Sequence, residues 1–83
     1  MEPAATSSSR EFIEFVAKML ARSPDDVEAT ESVEDNVIVY RLKLAPEDVG
    51  RVIGREGRIV RAMRSLLRSA AVRQGQRVVL EVN

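Results

Sequence analysis

An α+β fold with the element order α-β-β-α-α-β is what this chain of 83 residues predicts. Three observations carry that expectation. Apolar residues recur at helical spacing over residues 8–22, side chains alternate over 37–44 and 77–82, and two consecutive helical patterns meet at the glycine pair Gly54 and Gly57.

Composition bounds what such a fold can do. The chain is long enough for one small domain, whose single core leaves little net stability and favours association with a second chain. It has no cysteine and no histidine, which removes disulfides, thiolate metal sites and the commonest general base. No apolar run approaches the roughly 18 residues that span a bilayer. The N-terminus lacks a signal peptide's basic-then-apolar order, so a cytoplasmic protein is expected. The net charge is zero, yet it divides along the chain. Residues 1–45 hold five basic and nine acidic side chains, and residues 46–83 hold eight basic and four acidic, so a net −4 faces a net +4. The positive half is centred on Gly54–Gly57, as a local phosphate site requires.

Residues 1–7 lack periodicity and are expected to form a flexible tail ahead of one domain over 8–83. Ser8 and Glu11 stand in the relation of a capping box, predicting a helix start. Phe12, Val16, Met19 and Leu20, widened by Ile13 and Phe15, form its apolar stripe, which is core, or a dimer surface if it is wider than one sheet covers. Pro24 ends the helix. Residues 27–33 read as an edge strand, 34–36 as a hairpin turn with Asn36 at positive φ, and 37–44 as the strongest strand. Ile38, Tyr40, Leu42 and Leu44 share its apolar face, which makes Tyr40 a core residue and not a base-stacking platform.

Pro46 opens the next helix, with Glu47 and Asp48 complementing its dipole in the first turn. That helix is short, because Gly54 follows Val49, Val52 and Ile53 closely. A longer one runs from about Arg58 to Gln74, with Ile59, Met63, Leu66, Leu67, Ala70 and Ala71 on one side and Gly75 as its stop. Residues 77–82 form the last strand.

Between the two helices lies Gly54-Arg55-Glu56-Gly57, a GxxG loop. Two glycines three apart let the backbone turn tightly and leave no Cβ to hold off a ligand, so main-chain N–H groups can approach a phosphate. The tetrapeptide alone is a weak signal, since any short helix connection can carry two glycines. Arg51, Arg55 and Arg58 crowd it and strengthen the case.

The run Val49-Gly50-Arg51-Val52-Ile53-Gly54-Arg55-Glu56-Gly57-Arg58-Ile59, set in that element order, resembles the KH domain of type II. Residues 46–54 and the closing Gly75-Gln76-Arg77-Val78-Val79-Leu80-Glu81-Val82 are similar to the KhpA family of small stand-alone bacterial KH proteins. The resemblance implies a three-stranded sheet covered on one face by three helices. It also implies RNA binding, as a homodimer or with the larger KH partner KhpB (EloR or Jag). The family role would be post-transcriptional regulation or RNA-chaperone activity linked to cell elongation and division. No cofactor or metal is implied. Single-stranded RNA would then lie with its backbone against Gly54, Arg55, Glu56 and Gly57, flanked by Arg51 and Arg58, its bases over an apolar floor of Val52, Ile53 and Ile59. Arg55 is the expected main phosphate contact and Glu56 is expected to face solvent. A protein-interaction module whose GxxG is only a structural turn is the alternative. An enzyme is disfavoured, because no nucleophile–base pair can be proposed and the loop lacks the Gly-Lys-Ser/Thr ending of a P-loop.

Overall fold

A computed structural model describes residues 4–83, with side chains from Ser8 onward. The elements follow the expected order: α1 (Ala4–Leu20), β1 (Glu28–Glu34), β2 (Val37–Lys43), α2 (Val49–Ile53), α3 (Arg58–Val72) and β3 (Arg77–Val82). Helix α1 begins at Ala4, so Ser8 lies a turn inside it and the expected capping box is not at the helix start. Of the expected tail, residues 1–3 lie outside the described residues.

The sheet is mixed, in the order β1-β2-β3. β1 and β2 are antiparallel, and their two-residue turn puts both Asp35 (φ 52°) and Asn36 (φ 65°) in the left-handed region. That is the turn whose twist suits a tight hairpin, and Asp and Asn tolerate it best after glycine. β3 lies parallel to β2, so the intervening chain must cross over the sheet, and α2 and α3 make that crossover. At its end Gly75 (φ 68°) closes α3: the Gly75 N–H donates to the Val72 carbonyl and the Gln76 N–H to that of Ala71, each at 3.0 Å.

Ile38, Tyr40 and Leu42 point to the helical side of the sheet, where they meet Ala29, Leu80, Ile13, Val52, Met63 and Leu67. Burial pushes the Tyr40 hydroxyl pKa up. The opposite face stays open and carries Arg41, Lys43, Val79 and Glu81, with Arg41 Nε 3.1 Å from Glu81 Oε1.

Two helix faces differ from expectation. In α1 the fully buried residues are Ile13 and Ala17, while Phe15 and Met19 are 64% and 69% exposed. The apolar set was wide enough to allow several phases. Small Ala17 lets the helix lie close to the sheet, whereas two phenylalanines beneath it would hold it away. In α3 the buried line is Val60, Met63, Leu67 and Ala71, which leaves Leu66 59% exposed and Ala70 at the surface.

Asp48 also departs from expectation. It does not cap its own helix. Its fully buried carboxylate reaches back across the fold, where Oδ1 accepts the Arg22 N–H and Oδ2 the Ser23 N–H, each at 3.0 Å. One side chain thus ties the exit of α1 to the entry of α2. These two hydrogen bonds hold its pKa below the ordinary carboxylate value of 3.8, with Arg51 adding to the effect. A depressed pKa means that the stabilisation is present in full above that value and is lost as pH falls through the folded-state pKa. Asp48→Asn, which cannot accept both N–H groups, is expected to lower the urea midpoint at about pH 7, and the gap to wild type should narrow as the pH is lowered through and below the ordinary carboxylate value of 3.8. A gap that stays constant over the whole acid titration would show that the charge is not what holds this junction.

Candidate nucleic-acid interface

Helix α2 stops because Gly54 adopts φ 83°, ψ 170°, a conformation that side chains strongly disfavour. Its space is also taken: a Cβ on residue 54 would lie 2.8 Å from Ile59 Cγ1. Ile59 packs over the bare backbone of Gly54, and that contact folds the start of α3 back onto the end of α2. Glu56 (φ 57°) and Gly57 (φ 73°) then take two successive left-handed steps before α3 begins.

The loop's hydrogen bonds decide which way its peptide groups face. The Gly54 carbonyl accepts the Gly57 N–H at 3.1 Å, and the Arg55 carbonyl accepts the Arg58 N–H. In a planar trans peptide the N–H points opposite to the C=O. With those two carbonyls turned inward, the N–H groups of Arg55 and Glu56 are turned outward, and neither has a hydrogen-bond partner among the described residues. Two adjacent outward donors can receive an anion such as a phosphodiester oxygen.

Positive charge gathers around them. Arg55 and Arg58 are exposed and their side chains form no ion pair among the described residues. Arg51 is half-committed, its Nε 3.5 Å from Asp48 Oδ1. The Glu56 side chain is exposed to solvent, as expected.

Beside the loop, Ile53, Glu56, Gly57, Val60, Arg61, Arg64 and Val82 line an open groove between α3 and the free edge of β3. Of the three residues expected as its floor, only Ile53 lines it. Val52 is fully buried and presents no surface, so its place is in the core. Ile59 packs against the core beneath Gly54. Val60, Arg61, Arg64 and Val82 also line the groove and were not among the residues expected at its floor or flanks. Val60 follows from the true phase of α3, but Val82 is brought there only by the parallel pairing of β3, which alternation does not reveal. Arg64 Nη2 donates to the Leu80 carbonyl at 3.0 Å, which bridges α3 to the strand edge.

The chain is similar to known proteins. A family model described as KhpA/KhpB, KH domain, matches residues 10–82. A protein of Clostridium acetobutylicum named RNA-binding protein KhpA is 42% identical over 73 residues, covering 88% of this chain and 97% of that protein. One of Aquifex aeolicus with the same name is 38% identical over 76 residues, covering 92% and 96%. A crystal structure of Era from Aquifex aeolicus superposes with a TM-score of 0.52 over 89% of this chain and 29% of its own, at 20% identity, a likeness of fold alone.

Gly50 and Gly54 together offer a direct check on the loop geometry. Gly50 has open space around it inside α2, so Gly50→Ala is expected to raise stability by roughly 0.5–1 kcal/mol. Gly54→Ala, which meets both the left-handed strain and Ile59, should lower the melting midpoint instead. Thermal unfolding of the two variants tests this, and equal behaviour would contradict the geometry described.

Proposed function

The chain belongs to the KhpA/KhpB family of KH domains, and from that membership we propose that it binds single-stranded RNA by gripping the sugar-phosphate backbone with Gly54-Arg55-Glu56-Gly57. The observation that supports this reading most strongly is the pair of outward, unpartnered N–H groups at Arg55 and Glu56. The Arg55 and Arg58 guanidinium groups lie beside them to neutralise phosphate charge. Bases would enter the groove beside Ile53, Val60 and Val82. No aromatic side chain lines that groove, so stacking, worth about 1–3 kcal/mol per base where it occurs, contributes little. Binding of modest affinity and weak sequence preference follows, suited to a cytoplasmic post-transcriptional regulator or RNA chaperone of the kind the family suggests for cell elongation and division.

Replacing Arg55 and Glu56 together by aspartate should abolish binding of a single-stranded RNA oligonucleotide while the circular dichroism spectrum and melting midpoint stay near wild type. With roughly three or four phosphate contacts, log K for wild type should fall against log salt with a slope of about −2 to −3. Undiminished binding by the double variant would remove the loop from the site and favour the structural-turn reading.

A second chain is part of the same proposal. Phe12 shares a shallow depression with Leu66 and Ala70 where α1 and α3 lie side by side, and Phe15 and Met19 continue the apolar surface along α1. Contiguous exposed apolar residues of this size mark an interaction surface. We assign it to pairing with a second copy or with the KH partner KhpB. Phe15→Glu should leave the fold intact and sediment as a monomer. An unchanged sedimentation coefficient in both wild type and variant would rule this surface out for self-association.

A further inference from the structure

The mechanism just proposed leaves one loop atom unexplained. Of the first three loop carbonyls, those of Gly54 and Arg55 are turned inward, as shown by their hydrogen bonds. That of Glu56 cannot be. The Gly57 N–H of the same peptide points to the Gly54 carbonyl, so the Glu56 oxygen points the opposite way, over the first turn of α3 and onto the rim of the groove. A bare carbonyl oxygen there would repel a phosphodiester and would compete with it for the arginines nearby. It is not bare: Arg61 Nη2 donates to it at 2.6 Å.

We propose that Arg61 is a positioning residue for nucleic-acid binding: it covers the acceptor that the loop turns toward the groove and holds the 56–57 peptide in the orientation that keeps the neighbouring N–H groups outward. The inference rests on the reading of the loop as a backbone grip and names a residue of that grip. Two further observations favour Arg61 over a purely solvated arginine. Its partner peptide is flanked by two left-handed residues, Glu56 and Gly57, and Glu56 has a side chain that resists this conformation, so the turn needs support from outside the loop. That peptide is held at both ends, by the Gly54 carbonyl on its N–H and by the guanidinium on its oxygen. A guanidinium suits this because it can bind the carbonyl with one nitrogen and leave further N–H donors facing the groove.

The test compares Arg61→Ala with Arg68→Ala. Each removes one charge from the same helix, and Arg68 is exposed with no side-chain partner among the described residues. Fluorescence anisotropy with a single-stranded oligouridine would be read at about 50 and about 200 mM salt. A charge acting only through its field loses roughly two- to threefold of its effect over that range. The expected result is that R61A weakens binding about fivefold or more beyond R68A, with an R61A-to-R68A ratio that changes little with salt. In the free protein, the amide resonances of Glu56 and Gly57 should move in R61A and stay in place in R68A, with both melting midpoints near wild type. Equal losses with equal salt dependence, or unmoved amides, would overturn the role of Arg61 and leave the loop reading standing. Failure of the wild-type protein to bind the oligonucleotide would instead overturn the loop reading, and the role of Arg61 with it.

Discussion

The absence of a side chain at residue 54 is the constraint on which the loop and both helices around it depend. Ile59 occupies the place that a Cβ would need, so α2 ends, the chain reverses and α3 starts within a few residues. The same reversal turns the Gly54 carbonyl toward the Gly57 N–H and forces the next two N–H groups outward. Folding and binding therefore use one piece of backbone geometry. A substitution at Gly54 damages the corner itself, whereas one at Arg55 changes only what the corner presents.

Charge is distributed to match. Net neutrality hides an arrangement in which several acidic side chains are engaged away from the loop. Glu14 pairs with Arg10 and Lys18 on α1, Glu34 and Glu81 hold Arg41 on the open sheet face, and Asp48 is buried against the backbone of residues 22 and 23. Arg55 and Arg58 are left to solvent at the loop. A local field of this kind acts on a polyanion over about a Debye length, near 10 Å at moderate salt, so the charge of the whole chain is a poor guide to its partner.

Much of this was legible in the residues, and the gaps have physical causes. The element order, a hairpin turn with Asn36 at positive φ, the stop at Gly75 and the burial of Tyr40 are all local, and local chemistry predicted them. Helix phase was less legible. An apolar set as broad as residues 12–20 is compatible with several inward faces, and the choice of Ile13 and Ala17 depends on how closely α1 can approach the sheet. Long-range pairings were not legible at all. Asp48 looked like a dipole-complementing residue because its partners lie 25 and 26 positions away, and Val82 reaches the groove only through a parallel register. Within the loop, the two glycines located the turn in the sequence. The sequence could not show that Arg61 would fold back five residues to the Glu56 carbonyl, since helical spacing alone sends that arginine to solvent.

The account turns on whether the loop backbone itself meets the nucleic acid. The most direct measurement is a titration of isotope-labelled wild-type protein with a short single-stranded oligouridine, followed by amide resonances. The account predicts that the Arg55 and Glu56 amides shift first and furthest, followed by residues of the groove between α3 and β3. Shifts confined to the open sheet face around Arg41, Lys43 and Val79, with the Arg55 and Glu56 amides unmoved, would contradict it.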